Sequence, residues 1–313
     1  MPELAFIFPG QGSQQVGMGL ELARAYPAAR ATFDEADTVL NRKLSQLCFD
    51  GPEEALRQTE NTQLAVLICS IAALRVVQEF GITPRVVAGH SLGEYSALVA
   101  AEVLGFREAL ELVQYRSRFM AEASGRQACA MAAILGLDVD TLNEFCAEAQ
   151  SVGVVQVANF NCPGQLIISG DAVAVEKVVE RGAEAVGPKR CRLLPVSGAF
   201  HSALMEPASV QLQSAIGDFE FQPPRTEFVA NVTAGYTSSP DEIRQLLVTQ
   251  VTSPVQWEKS VRLIGDSGIS HFVELGPGKV LCGMVRRVLD DAICLNVEDV
   301  RSLEKTIESI KSN

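Results

Sequence analysis

The fold is decided by residues 85–103, which read RVVAGHSLGEYSALVAAEV. Residues 85–88, which are apolar after Arg85, predict a short strand, and the residues after Gly93 predict a helix that continues through Val103. Gly89 and Gly93 frame Ser91 in the pattern Gly-x-Ser-x-Gly, which between a strand and a helix is typical of a nucleophile elbow. A purely structural glycine-rich turn would have the same letters, but the context favours Ser91 as a candidate nucleophile.

Strands and helices alternate on both sides of this turn. Upstream, apolar patterns predict a strand at 4–8, a helix near 19–26 and a long helix at 62–79. Downstream, they predict a helix at 107–123, strands near 227–230, 269–274 and 292–295, and a last helix at 302–310. This order is typical of an α/β fold with a large, mainly parallel-sheet, hydrolase-like core.

The order of elements changes between about residues 127 and 196. Strands are predicted at 128–135, 154–158, 165–169 and 190–194, with helices at 139–149 and 172–185. This β-α-β-β-α-β order is the ferredoxin-like pattern. We therefore predict two domains, a large catalytic one from 1–126 and 197–313, and a small ferredoxin-like one inserted at 127–196.

Composition excludes several classes of protein. The 313 residues are 47% hydrophobic and 20% charged, which excludes a disordered chain. Asp and Glu number 38 against 26 Lys and Arg, and the net charge of −12 argues against nucleic-acid binding. Because no stretch approaches 18 consecutive apolar residues and the N-terminus lacks a basic segment, we expect no membrane span, no signal peptide and a cytoplasmic location.

The eight cysteines carry no metal signature. The closest two, Cys282 and Cys294, are 12 residues apart, and no Cys-x-x-Cys occurs. Most lie in apolar runs and are expected to be reduced core residues. We therefore expect no metal site, and since nothing indicates an obligate interface, we expect a monomer.

A serine nucleophile needs a base, and the chain has three histidines. His90 adjoins Ser91, but its side chain should diverge at so sharp a turn. His271 lies in an apolar strand and is expected to be a satisfied core residue. His201 follows a predicted strand in a loop, where α/β enzymes keep their chemistry, and is by elimination the candidate base. The group that orients it cannot be deduced from spacing.

The first strand is followed by a glycine-rich loop, FPGQGSQQVGMG, at residues 8–19. Met18 stands where a phosphate-binding P-loop needs lysine, and the dinucleotide-binding pattern lacks its third glycine. Two interpretations remain. Its backbone N–H groups contribute to an oxyanion hole facing Ser91, or the segment is an ordinary strand-to-helix loop.

Five motifs in this order carry a family resemblance: PGQGSQ at 9–14, GHSLGE at 89–94, YRSRFM at 115–120, GAFHS at 198–202 and ELGPG at 274–278. Together they resemble the malonyl-CoA:acyl carrier protein transacylases of fatty-acid synthesis, essentially from end to end. The related acyltransferase domains of polyketide synthases share these motifs, so a free-standing polyketide acyltransferase is an alternative.

The resemblance implies roles for individual residues. Ser91 would be the nucleophile and His201 the base, with the backbone amides of Gln11 and Leu92 as the oxyanion hole. The backbone carbonyl of Gln250 would orient the histidine in place of a carboxylate. The cleft would also be lined by two small-domain residues, Asn159 and Asn161.

Two further residues would select the acyl group. Arg116 would pair with the free carboxylate of a malonyl group, which acetyl lacks. Without the resemblance, an arginine on this helix would be expected on the surface. Phe200, beside His201, resembles the malonyl-type rather than the methylmalonyl-type member, because its ring would crowd an α-methyl branch.

The implied reaction passes malonyl from malonyl-CoA to the phosphopantetheine thiol of acyl carrier protein through a malonyl-serine. It needs no permanently bound cofactor. Since the carrier is usually acidic, docking requires a basic rim around the cleft. The candidates for this rim are Lys189, Arg190, Arg192, Lys279, Arg286 and Arg287. The alternative is that these residues are scattered charges in contact with solvent.

Two other functions compete with this interpretation. Gly-x-Ser-x-Gly also permits a serine esterase or thioesterase, but the inserted small domain and Arg116 argue against one. A catalytically silent acyl-CoA-binding subunit is the other, and it would need neither Ser91 nor His201.

Overall fold

The structure is a computed structural model that describes residues 2–196 and 198–312. These residues form nine strands and fourteen α-helices. The strands are β1 Leu4–Phe8, β2 Val86–Gly89, β3 Cys129–Leu135, β4 Val155–Cys162, β5 Gln165–Asp171, β6 Cys191–Leu193, β7 Glu227–Val229, β8 His271–Leu275 and β9 Ile293–Val297. The helices are α1 Leu20–Ala25, α2 Pro27–Val39, α3 Leu44–Asp50, α4 Glu53–Leu56, α5 Thr59–Glu79, α6 Gly93–Ala100, α7 Phe106–Ser124, α8 Val139–Ala149, α9 Ala172–Val186, α10 Glu206–Ala215, α11 Pro240–Gln250, α12 Trp257–Asp266, α13 Val280–Val288 and α14 Val300–Ser312.

The larger sheet is parallel throughout, in the order β7-β2-β1-β8-β9. The central strand β1 is buried along its whole length, as its unbroken apolar run requires in a sheet covered on both faces. Phe8 and Gly89, the last residues of β1 and β2, are paired in register. The loops after these two strands therefore leave the same edge of the sheet side by side, and this edge carries the site.

The smaller sheet is antiparallel, in the order β4-β5-β3-β6. Helices α8 and α9 pack against it over a core of their own, which includes Ile134, Leu142 and Val178. The α/β fold class, with a parallel sheet and a separate antiparallel sheet, is confirmed.

The exact division into domains stays a prediction. What supports it is that all four strands of the smaller sheet come from one stretch, residues 129–193. The proposed boundary at Ser197, like Met1 and Asn313, lies outside the described residues.

Hydrogen bonds join the smaller sheet to segments that pack on the larger one. Phe160 donates to the carbonyl of Val255 (2.9 Å), and Val255 donates to the carbonyl of Ala158 (2.9 Å). From α13, the Arg287 guanidinium donates to the Pro163 carbonyl (2.8 Å) and to Gln165 Oε1 (3.0 Å) in the turn between β4 and β5. The smaller sheet is thereby fixed against the larger one.

Helix α5 is the one helix of residues 2–196 and 198–312 that is long and apolar enough to cross a membrane by length and composition. Of the apolar stretch of α5, 89% is buried inside the protein. It is apolar on all sides because α2 and α7 pack against it in the core.

The predicted elements are found, with shifted ends. Helix α6 ends at Ala100 rather than Val103, and β4 continues past Ala158 to Cys162, because its pairing with β5 resumes after irregular steps. Several helices had not been predicted from the sequence, because their apolar residues are sparse or their lengths short: α2, α3, α4, α10, α11, α12 and α13.

The two glycines of the elbow are required by close backbone approach. A β-carbon on Gly93 would lie 2.0 Å from the carbonyl oxygen of Phe8, and one on Gly89 would lie 1.9 Å from the carbonyl of Gly93. The start of α6 therefore rests directly on the strands.

Replacing Gly93 by alanine should destabilise the protein by about 1–3 kcal/mol or more, because the added methyl group forces α6 away from β1. Denaturant unfolding measures the change. The matched control is Gly283→Ala in α13, where an added β-carbon meets nothing within 4 Å and helix propensity predicts a gain of up to about 1 kcal/mol. A Gly93→Ala protein as stable as the parent would contradict the close-approach argument.

Candidate active site

Ser91 sits at the junction of β2 and α6 in a left-handed backbone conformation, with φ of 52°. Such a conformation costs a non-glycine residue about 1–2 kcal/mol and persists only where its surroundings hold it. Here the Ser91 N–H donates to Asn231 Oδ1 (2.7 Å), and Asn231 Nδ2 donates to the carbonyl of Gly89 (2.6 Å). Asn231 thus ties both sides of the elbow.

His201 also has a positive φ, 59°, and is 3% exposed. Its Nε2 lies 2.7 Å from Ser91 Oγ, and its Nδ1 lies 2.8 Å from the backbone carbonyl of Gln250. A carbonyl oxygen only accepts, so Nδ1 carries the proton and Nε2 presents a lone pair. The serine hydroxyl therefore donates to Nε2, which is the arrangement of a nucleophile with its base.

Burial lowers the pKa of His201 to about 3, and the nearby Arg116 guanidinium contributes to the lowering. The imidazole is therefore neutral well below its ordinary titration range near pH 6.5. A neutral imidazole with its lone pair facing the hydroxyl is ready to accept a proton.

The smaller sheet holds the loop that carries His201. Gln156, on β4, donates from Nε2 to the backbone carbonyl of His201 (3.3 Å) and accepts at Oε1 from the N–H of Ala203 (3.1 Å). One side-chain amide thus holds the loop through two hydrogen bonds, one at His201 and one at Ala203.

Arg116 is 1% exposed on α7, so the expectation of a surface arginine is overturned. Its NH1 donates to Gln63 Oε1 (2.5 Å), and its NH2 donates to Gln250 Oε1 (2.8 Å) and to Ser91 Oγ (3.1 Å). These three bonds all go to uncharged side chains, and Nε has no hydrogen-bond partner among the described residues. Burial lowers the pKa of the guanidinium. A buried cation with neutral partners favours an anionic ligand.

Gln11 and Leu92 lie on the wall of the same cavity as Ser91. Leu92 is the N-cap of α6, and neither its N–H nor that of Gln11 donates to any atom of the described residues. The loop carrying Gln11 comes close because Gly10, without a side chain, lies against the carbonyl of His90. Two free N–H groups beside a hydroxyl can stabilise a developing oxyanion.

The cavity runs between the two sheets. Its lining includes the polar side chains of Ser91, His201 and Arg116 and a set of apolar ones: Met131, Ile167, Leu194, Val196, Val280 and Met284. Asn159, Asn161 and Phe200 also line it. Such a lining suits a ligand that has a charged group and a less polar part.

The other two histidines have different surroundings. His90 points away from Ser91 and places Nε2 2.9 Å from Asn161 Oδ1, and burial lowers its pKa. His271 begins β8 and is only half-buried, with Nδ1 3.1 Å from Ser270 Oγ. Its Nε2 is buried without a partner among the described residues, so the expectation of a satisfied core histidine is wrong on that point.

Three residues of the site had been missed. Gln63 holds Arg116, Asn231 holds Ser91, and Glu94 accepts from Asn231 and Gln250. Burial raises the pKa of Glu94 to about 7, against the opposing effect of these donors and of Arg116. Each had a signal. Gln63 interrupts an apolar helix, Asn231 directly follows a predicted strand, and Glu94 lies in a quoted motif.

Across residues 2–196 and 198–312, no group of three or more histidine, cysteine, aspartate or glutamate side chains could hold a metal ion. All eight cysteines lie within these residues and none is in a disulfide; seven are buried, and Cys129 is partly exposed.

A known protein family and curated relatives match nearly the whole length of the chain. The acyl transferase domain family matches residues 5–309. The malonyl CoA-acyl carrier protein transacylase of Bacillus subtilis (strain 168) is 45% identical over 312 residues, which cover 99% of this chain and 98% of that protein.

Solved structures also match nearly the whole length of the chain. The acyl-carrier-protein S-malonyltransferase of Bartonella henselae superposes with a TM-score of 0.95 at 40% identity, covering 99% of both chains. A malonyl-transacylase solved in complex with its type II PKS acyl-carrier protein matches with a TM-score of 0.95 at 42% identity, covering 98% of this chain and 99% of that one.

Proposed function

Since the chain belongs to the acyl transferase domain family, we propose that it transfers malonyl from malonyl-CoA to the phosphopantetheine thiol of acyl carrier protein. The observation that carries this proposal is the buried Arg116 guanidinium, 3.1 Å from Ser91 Oγ. A malonyl group bound to this serine would place its free carboxylate beside a cation whose hydrogen-bond partners are all neutral. Malonyl-CoA is the substrate of the proposed reaction, and no permanently bound cofactor is required.

In the first half-reaction, His201 Nε2 accepts the Ser91 proton while Oγ attacks the thioester carbonyl. The N–H groups of Gln11 and Leu92 donate to the oxyanion, each worth about 3 kcal/mol in the transition state. The intermediate then collapses, the carbon–sulfur bond breaks, and the CoA sulfur leaves with the proton from His201. A malonyl ester remains on Ser91.

In the second half-reaction, His201 accepts the proton of the carrier's phosphopantetheine thiol. The sulfur attacks the ester carbonyl, the bond to Ser91 Oγ breaks, and His201 returns the proton to the serine. The two half-reactions use the same groups in turn, which gives ping-pong kinetics without a metal.

Selectivity for malonyl is assigned to Arg116 and Phe200. A planar guanidinium can hold a carboxylate through two parallel hydrogen bonds, and an acetyl group would leave the buried cation unpaired. Phe200 lines the cavity beside His201, where its ring would oppose an α-methyl branch.

The basic rim proposed for carrier docking is narrower than the sequence alone indicates. Arg286 donates to the carbonyl of Cys294 (2.8 Å), and Arg287 joins the two sheets. Lys189, Arg190, Arg192 and Lys279 are exposed, as Arg286 and Arg287 are, but none of the four side chains is bonded to a separate helix or strand of the described chain; the bond from Arg192 Nε to the Lys189 carbonyl (3.2 Å) is local. We assign docking to these four. A cytoplasmic location is likewise proposed, supported by eight cysteines that form no disulfide in the described chain.

The function is tested by intact-protein mass after mixing with malonyl-CoA or acetyl-CoA. Malonyl-CoA should leave a malonyl group on the Ser91 peptide, and Ser91→Ala should leave none. Arg116→Ala should slow malonylation by about 100-fold and remove the preference over acetyl, because the carboxylate loses its partner. The matched control is Arg118→Ala, two residues along α7 and exposed, which should behave as the parent.

Two results would refute this function. One is rapid thioester hydrolysis with no acyl group retained, as an esterase would give. The other is equal behaviour of the Arg116 and Arg118 variants.

The low pKa of His201 predicts an unusual pH profile for Ser91. Its inactivation by phenylmethylsulfonyl fluoride, which is uncharged, should change little between pH 5 and 8, since the imidazole is already deprotonated throughout that range. Arg116→Gln removes one of the causes that lower the pKa of His201. The pH below which inactivation of this variant slows should therefore move up towards pH 6.5. Circular dichroism at pH 5 checks that both proteins stay folded, and a parental rate that halves near pH 6.5 would contradict the prediction.

Carrier docking is tested by the double variant Lys189→Glu, Arg192→Glu. It should raise KM for the carrier about ten-fold or more, because two attractive rim charges become repulsive. Acylation by malonyl-N-acetylcysteamine, which has no phosphates, should be unchanged. Lys305→Glu with Lys311→Glu on α14 alters net charge equally away from the cavity and should leave KM unchanged; equal effects of the two pairs would exclude local docking.

A further inference from the structure

Glu94 is a buried carboxyl group that the proposed reaction does not use. It lies in the first turn of α6, three residues after Ser91, and is 1% exposed. Its Oε1 accepts from the backbone N–H of Asn231 (3.0 Å), and its Oε2 accepts from Nε2 of Gln250. Both oxygens therefore act as acceptors, and the donors come from the residues that hold Ser91 and His201.

The side chain of Gln250 links Glu94 to Arg116. Its Oε1 accepts from Arg116 NH2 (2.8 Å), and its Nε2 donates to the backbone carbonyl of Ser91 (3.0 Å) as well as to Glu94. A flipped amide would turn its NH2 group towards the guanidinium and its oxygen towards the carboxylate, so that donors face donors and acceptors face acceptors. Glu94 and Arg116 thus fix the amide from opposite ends.

The fixed amide in turn fixes the cation. Gln250 and Gln63 are the two side-chain amides that accept from Arg116, and together they hold NH2 within 3.1 Å of Ser91 Oγ. Without the carboxylate, Gln250 Nε2 keeps only the Ser91 carbonyl as an acceptor, and one of the two supports of the guanidinium is held less firmly.

We propose that Glu94 is a positioning residue for acyl selectivity: it orients the Gln250 side chain so that Arg116 is held facing the substrate carboxylate. It acts through Gln250 and touches no reacting atom. This inference rests on the proposed malonyl transfer, and it adds a determinant of substrate choice that lies behind the cavity wall.

The test is Glu94→Gln, which keeps the size of the side chain but offers one acceptor oxygen to two donors. One of the two donors then loses its acceptor, and the Gln250 amide is held less firmly. Single-turnover acylation of Ser91 by malonyl-CoA and acetyl-CoA should show the malonyl-to-acetyl ratio falling at least ten-fold. The acetyl rate should fall less than the malonyl rate.

A double-mutant cycle separates positioning from general damage. In an Arg116→Ala background, Glu94→Gln should leave the malonyl-to-acetyl ratio unchanged, because the group on which it acts is gone. A merely structural role would lower both rates alike in both backgrounds. An unchanged ratio in the single variant, or an equal fall in both backgrounds, would overturn the proposal.

The matched control is Glu274→Gln. Glu274 is also fully buried and accepts from two backbone N–H groups, those of Leu281 (3.1 Å) and Cys282 (2.8 Å). Its variant should lose a comparable amount of thermal stability yet keep the parental ratio.

A second variant covers the case that Glu94→Gln does not fold. Glu94→Asp keeps both acceptor oxygens on a shorter side chain and should give an intermediate ratio; a parental ratio would overturn the proposal. Failure of the parent protein to form malonyl-Ser91 would instead refute the proposed function, and it is visible before any variant is made.

Discussion

The contact on which the site depends is the packing of the first residue of α6 against the end of β1. A glycine on each side of the elbow lets backbone meet backbone, with no room for a β-carbon. The tight turn that this approach allows contains Ser91 in a left-handed conformation. It also places Leu92 at the N-cap of α6, where its N–H has no partner within the helix.

The charged and polar groups around His201 determine its protonation state. A buried cation beside the serine and an uncharged acceptor behind the histidine both favour a neutral imidazole. In the more familiar triads a carboxylate stabilises the protonated histidine. Here a backbone carbonyl takes the position of that carboxylate, and the hydrogen-bond partners of Arg116 are all uncharged, while the buried Glu94 carboxyl acts on the guanidinium through space and through Gln250.

The elbow, the alternation of strands and helices and the order of the smaller sheet could be predicted from the sequence, because glycine spacing and apolar periodicity are local signals. The partners of Arg116 could not. Gln63 and Gln250 are 53 and 134 residues from Arg116 in the chain, and only the packing of α5 against α7 and the position of Gln250 at the end of α11 bring them together. The burial of Arg116 has the same origin, since a helix pattern shows which face is apolar but not that a charged residue is enclosed by neighbours. Asn231 and Glu94 had signals at the level of position, but their contacts with the elbow depend on tertiary structure.

The amide of Gln156 has an implication for how the chain can be shortened. The loop that carries His201 takes two hydrogen bonds from Gln156 of the smaller sheet, in addition to the bond between the His201 ring and the Gln250 carbonyl. The smaller sheet therefore helps to position His201, and a shortened protein without it would keep the serine elbow but lose two of the hydrogen bonds that hold the histidine loop.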